Sequence, residues 1–303
     1  MSVPALKWVG ILAAIAIVWT TAAGAGPPRA VCGWAARPPA RWDHVIWIWM
    51  ENESYSQVVG SPSAPYLSTL AGECGIATDY SAVSHPSLPN YIAATSGSTW
   101  GIADDGPPAS HPVSRPSIFT QVRAEGSTWR SYEESMPSNC DLASSGAYAV
   151  KHNPAAYFTG IRAACTRWDV PLGTITSGPF ASDLRRKRFP IFAFVTPNLC
   201  HDMHDCSVAT GDAWLRRWVA LIVASPEYRS GKTVLFITFD EGAGSNRVAT
   251  VVVSPSTRAA TRSSTSFDHY SLLKTTEALL GMSGRLVHAG DSSTHDMRTA
   301  FHL

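Results

Sequence analysis

HVIWIWM, residues 44–50, runs directly into Glu51 and Asn52. From Val45 to Met50 every residue is apolar, and the run has strand length. A strand with one wet face would alternate in polarity, so this one reads as buried on both faces, the signature of a parallel sheet covered on each side. IFAFV (191–195), TVLFITF (233–239) and VATVVVS (248–254) read the same way. Between them, APYLSTLAGE (64–73), SIFTQVRAE (117–125), GDAWLRRWVALIVAS (211–225) and HYSLLKTTEALLG (269–281) place apolar residues at helical spacing. Strands alternating with helices predict an α/β fold: a three-layer sandwich with a largely parallel central sheet flanked by helices. Segments 98–117 and 136–190 are rich in Ser, Gly and Pro and poorly periodic, and are expected to be long loops over one face.

The chain has 303 residues, 45% hydrophobic and 16% charged, which supplies a core and excludes disorder. A formal charge of +1 offers no electrostatic footprint for nucleic acid, and no such partner is expected. Lys7 precedes an apolar stretch, WVGILAAIAIVWTTAAGA (8–25), that ends in small residues at Ala23-Gly24-Ala25. This predicts a signal peptide over 1–25 and a single domain over 26–303. The alternative is an uncleaved anchor, because the stretch is close to the spanning minimum of about 17 residues. Either reading puts the rest of the chain outside the cytoplasm. Membrane contact is then expected only through that segment or through a lipid substrate. Six cysteines, at 32, 74, 140, 165, 200 and 206, fit an oxidising compartment. They allow more pairings than the sequence can choose among. Nearest-neighbour pairing is the expectation: Cys32–Cys74, Cys140–Cys165 and Cys200–Cys206.

In a parallel sheet the ligand site lies beyond the carboxyl ends of the strands. Glu51 and Asn52 follow the first strand, Asp240 and Glu241 follow TVLFITF, and His201, Asp202, His204 and Asp205 follow IFAFV, between Cys200 and Cys206. One acid after a strand is usually a cap or a solvated loop group. Converging buried carboxylates would repel one another without a cation, so three such ends together point to a divalent metal. Oxygen ligands suit calcium, magnesium or manganese, and histidine would also admit zinc or iron. In SHPSLPNYIAATSG (84–97), Ser87 stands before a Pro-started helix. It reads either as a plain helix cap or as a nucleophile beside backbone N–H groups able to hold a phosphate.

MENESYSQVVG, SHPSLPNYIAATSG, PNLCHDMHDCSVATGDAWL, TFDEG and DHYSLLKTTEALLG occur in the order seen in the bacterial phosphoesterase family, which includes secreted acid phosphatases and non-specific phospholipases C. The resemblance runs from about Trp42 to about Gly281. More distantly, SLPNYIAATSG resembles the nucleophile segment of nucleotide pyrophosphatases in the alkaline-phosphatase superfamily. The resemblance implies an alkaline-phosphatase-like fold and Ser87 as the attacking group. It implies a metal held by Glu51, Asn52, Ser87, Asp240 and Glu241, and phosphate or second-metal contacts from His204 and His269. Lys151 and His152, in YAVKHNP, are implied to meet substrate oxygens, with Asn90 also at the substrate. Within the His/Asp cluster, His204 and Asp202 are expected to work, with His201 and Asp205 in support. Gly242, Ala243 and Gly244 stand where relatives often carry further acids, which speaks against a metal-rich second site. The substrate implied is a phosphomonoester, phosphoinositides such as phosphatidylinositol 3-phosphate included. A phosphodiesterase or phospholipase C, or an inactive binder of phosphorylated ligands, are the alternatives.

Overall fold

The computed structural model describes residues 1–5 and 30–303; the core and cleavage site of the expected signal lie outside the described residues. The strands are β1 (His44–Met50), β2 (Gly75–Ala77), β3 (Tyr80–Ser81), β4 (Trp129–Glu133), β5 (Asp169–Pro171), β6 (Phe192–Thr196), β7 (Thr233–Phe239), β8 (Thr250–Val253), β9 (Thr261–Ser263) and β10 (Phe267–Asp268). The large sheet has the order β5-β4-β6-β1-β7-β8-β2-β9, and β10 and β3 form a separate parallel pair. Every pairing in the large sheet is parallel except those of β8, which runs antiparallel to β7 and β2. The β7–β8 connection explains the reversal. It spans only residues 240–249, too short for a crossover.

β1 pairs on both edges, with β6 and β7, and lies near the middle of the sheet. Its side chains therefore feed two cores. Trp47, Trp49, Phe192, Phe194 and Trp129 share one face with Tyr91, Phe119 and His269. This face is covered by the helices Ser87–Ser96, Ile118–Ala124 and His269–Leu279. The Trp47 indole N–H donates to Thr276 Oγ1 at 3.0 Å, so even the apolar face carries a satisfied polar contact. Ile48, Val195 and Tyr132 are in register on the opposite face, where Tyr132 packs on Phe180 and Phe180 on Trp218. The helices Pro179–Arg185 and Val208–Ala224 supply those partners. The three-layer sandwich is as expected.

Segment 136–190 departs from the expectation of a loop. It holds β5, the helices Arg162–Trp168 and Pro179–Arg185, and short turns of 3₁₀ helix. All three nearest-neighbour disulfides are present. The residues after position 30 run along the amino ends of the strands: the Tyr228 hydroxyl donates to the Val31 carbonyl at 2.7 Å, and the Ala35 N–H to Pro255 at 2.8 Å. Among the described residues no helix is long and apolar enough to cross a membrane.

Glu133 and Asp169, at β4 and β5, are buried acids. Asn153 donates to Asp169 Oδ2 at 2.8 Å, but Oδ1 has no partner. Burial pushes the Asp169 carboxyl up to about 7, and burial together with Asp169 pushes Glu133 well up. A carboxyl with a raised folded pKa binds its proton more tightly in the folded chain. The stability linked to Asp169 therefore falls as pH rises from 3.8, its ordinary value, to about 7, and is level above that. Asp169→Asn is expected to raise Tm by a few degrees at pH 8 and to bring no gain at pH 4.5. Equal effects at the two pH values would exclude charge burial as the cause.

Candidate active site

β1 delivers Glu51 at its carboxyl end, and the carboxylate is completely buried. Three groups meet it. Ser87 Oγ donates to Glu51 Oε2 at 3.1 Å, the Tyr91 hydroxyl donates to Oε1, and His152 Nε2 lies 3.2 Å from Oε2 without the alignment of a hydrogen bond. Ser87 and Tyr91 are one turn apart on the Ser87–Ser96 helix, so one helix face serves one carboxylate. The plain capping role is not what Ser87 performs. Pro86 occupies the cap position and Ser87 is the first helical residue, its hydroxyl turned to Glu51.

β7 delivers Asp240. Its Oδ1 accepts the Asn52 N–H at 3.0 Å, while Oδ2 is buried without a partner. Asn52 takes a left-handed backbone, φ 51°, a conformation that Asn tolerates better than most residues. From beyond β6 comes Asp202. Its Oδ1 accepts the His204 N–H at 2.8 Å, and its Oδ2 is 3.4 Å from His152 Nδ1. The Glu51 N–H donates to the Asp202 carbonyl at 2.9 Å and so ties this loop to β1. The Cys200–Cys206 bond closes the loop, and Met203 within it packs on Gly211, where a Cβ would come within 2.4 Å of the Met203 side chain.

The electrostatics are severe. Burial, then Asp240, then Asp202 push Glu51 well above the usual carboxylate range. Burial lifts Asp240 and Asp202 each to about 7. Burial, with Lys151 and His204 beside it, keeps His152 neutral. Asp240 Oδ2, Asn52 Oδ1 and Asp202 Oδ2 are buried oxygens without a hydrogen-bond partner. Glu51, Asn52, Ser87 and Asp240 thus fit one divalent cation of the oxygen-preferring kind.

Other expected residues have different partners. Glu241 lies close enough for its charge to help raise Asp240, while its Oε2 pairs with His85 Nδ1 at 2.5 Å. His269 is held on both nitrogens, Nε2 donating to the Asp240 carbonyl at 2.7 Å and Nδ1 accepting from Tyr80 at 3.0 Å. Burial drives it down to about 4, so it is a neutral brace for Asp240 with no free nitrogen for substrate. Asn90 is also spent internally. Its Oδ1 accepts the Val83 and Ser84 N–H groups, and its Nδ2 donates to the Ser84 and Pro86 carbonyls. It shapes the loop before Ser87 and has no capacity left for a substrate. His204 Nδ1 lies 2.7 Å from Asp205 on the rim, its ring centroid 6.0 Å from that of His152. His201 bonds Glu134 at 2.9 Å, away from the carboxylates. Tyr91, His85 and Asp105 were not foreseen. The four-residue spacing from Ser87 could have exposed Tyr91; Asp105 arrives by a loop that leaves no periodic trace.

Buried carboxylates at strand ends thus face a serine at a helix N-terminus on a sandwich with an alkaline-phosphatase-like fold. Solved structures agree on the fold. The lipoteichoic acid synthase LtaP from Listeria monocytogenes superposes with TM-score 0.60 at 10% identity, covering 84% of this chain and 76% of that one. A protein in the alkaline phosphatase superfamily from Vibrio parahaemolyticus gives 0.57 at 13% identity, covering 86% and 72%. The chain belongs to the phosphoesterase family, whose sequence profile matches residues 60–283. It is 32% identical to a phosphatidylinositol-3-phosphatase of Mycobacterium tuberculosis over 92% of this chain and 88% of that protein. An acid phosphatase of Aspergillus fumigatus is 29% identical over 78% of this chain, which spans 54% of the fungal protein's length.

If Asn90 is a loop clamp, Asn90→Ser should lower stability and activity together. Unfolding free energy should fall by about 2–4 kcal/mol through loss of several buried hydrogen bonds. An unchanged melting curve with impaired substrate binding would instead make Asn90 a substrate contact.

Proposed function

We propose that this chain is an exported phosphomonoesterase that works through a phosphoserine at Ser87. The observation that carries the reading is the Ser87 hydroxyl, buried at the first position of its helix and bonded at 3.1 Å to the buried Glu51. A divalent cation held by Glu51, Asn52, Asp240 and Ser87 would lower the pKa of that hydroxyl and neutralise charge on the phosphoryl oxygens. Ser87 Oγ attacks phosphorus with a lone pair as its proton leaves along the hydrogen bond to Glu51. The bond from phosphorus to the ester oxygen breaks, and the departing oxygen takes a proton at the rim, where His204 stands with Nδ1 on Asp205. Water then attacks the phosphoserine and gives its proton back to the rim at His204, the phosphorus–Oγ bond breaks, and Oγ recovers its proton from Glu51. Lys151 and the first helical N–H groups bind phosphoryl oxygens, and most of the acceleration comes from such positioning and charge neutralisation.

The phosphatidylinositol-3-phosphatase relative and the acid phosphatase relatives favour a monoester substrate, a phosphoinositide among them. A phospholipase C or phosphodiesterase would use the same nucleophile, and p-nitrophenyl phosphate against its bis ester separates the two readings. Export rests on three disulfides and the apolar residues 8–25.

Ser87→Ala should stay folded and lose several orders of magnitude of kcat, because the atom that forms the covalent bond is gone. Acid quench of the native protein during turnover should trap phosphate on the Ser87 peptide. Chelation should abolish turnover, and metal re-addition should restore it. Phosphate trapped on a histidine, or near-normal turnover by Ser87→Ala, would overturn the mechanism.

A further inference from the structure

Leu88 contributes the first backbone N–H after the nucleophile. In this structure it donates to Asp105 Oδ1 at 3.0 Å. The second oxygen of the same carboxylate, Oδ2, accepts from Lys151 Nζ at 2.9 Å. One carboxylate thus bridges a helix-start amide and an ammonium, as a bound anion does at a helix N-terminus. The Leu88 N–H is the amide next to Ser87, and Lys151 is joined to it through that one carboxylate. Lys151 belongs electrostatically to the site: its charge is held up by Asp105 first, and by Glu51 and Asp240 behind it, against the cost of burial.

Asp105 and an incoming phosphate ester cannot share those donors. Both are anionic and would take the same amide and ammonium. Asp105 is carried by a loop and not by a helix or strand. Residues 103–107 have no regular structure, and its side chain is 30% exposed against 22% for Lys151. Tyr157 holds the Gly106 carbonyl at 3.0 Å, and His111 bonds Asp104 at 2.5 Å, so the loop has a defined base from which the carboxylate reaches inward.

We propose that Asp105 is an internal substitute for the substrate's phosphate. It occupies the Leu88 N–H and Lys151 in the resting enzyme and is displaced when a phosphate group binds. The inference rests on the phosphatase reading and adds a competing anion to it. The loop sets the threshold for substrate: a ligand without a dianionic phosphate gains too little from Lys151 to dislodge the carboxylate, whereas a phosphomonoester gains both donors.

The test is Asp105→Asn, which keeps an oxygen for the Leu88 N–H and removes the charge. Inorganic phosphate is the probe, titrated calorimetrically into the full chain, alongside KM and kcat with p-nitrophenyl phosphate. Removing the competing charge should tighten phosphate binding roughly 3- to 10-fold, the range expected for a partly exposed charge pair, and lower KM by a similar factor. In Asp105→Asn/Lys151→Met the gain should vanish, because the contested donor is absent. Unchanged or weaker phosphate binding by folded Asp105→Asn would show that Asp105 merely positions Lys151 and would overturn the proposal, as would a gain that survives in the double variant. Should the native protein hydrolyse no phosphate ester, the phosphatase reading fails separately, and the calorimetric comparison still decides the role of Asp105.

Discussion

A carboxylate buried at the end of the central strand is the constraint on which the rest depends. Removing Glu51 from water costs several kcal/mol unless donors or a cation surround it. β1 is flanked by β6 and β7, so solvent cannot reach the carboxylate from the sheet edges, and its partners must come from above the strand ends. Ser87 and Tyr91 on one helix supply two hydroxyls, and His152 stands beside them. The orientation of the Ser87–Ser96 helix, the approach of the 3₁₀ turn at Val150–His152 and the anchoring of the Asp202 carbonyl on the Glu51 N–H follow from that one demand. Stability and chemistry are coupled in the proposed mechanism: the serine that helps to satisfy the buried acid is also the residue proposed to attack phosphorus.

The cluster between Cys200 and Cys206 illustrates how such a site is divided. Four ionisable side chains are adjacent in sequence, yet only Asp202 reaches the buried carboxylates. His204 and Asp205 stay at the rim as a pair, and His201 serves Glu134 with Asn198 and Trp214 around it. The disulfide and the close contact of Met203 with Gly211 hold the loop in a shape that sends neighbouring residues in different directions.

What the sequence makes legible follows from burial. β1, β6 and β7 are continuous apolar runs because both faces are covered, and such runs are conspicuous in any reading. The three-residue β5 ending in Pro171 carries no such mark, which is why 136–190 reads as loop, and β4, with Arg130 and Glu133, carries none either. Within the site, Glu51, Asn52 and Asp240 could be placed because strand ends are predictable addresses. Partnership was harder to foresee. Glu241 pairs with His85, Asn90 with the loop before Ser87, and His269 with Tyr80 and a carbonyl, all choices made by loops whose paths depend on tertiary packing.

The disulfide between Cys32 and Cys74 has a directional consequence. It fastens the beginning of the described domain beneath the sheet, where Val31 meets Tyr228 just ahead of β7 and Ala35 meets Pro255 just beyond β8. The catalytic mouth opens at the other pole. A molecule tethered through the residues that precede Cys32 would therefore point its mouth away from its own attachment point. It would be built to work on what approaches from outside rather than on the surface that holds it.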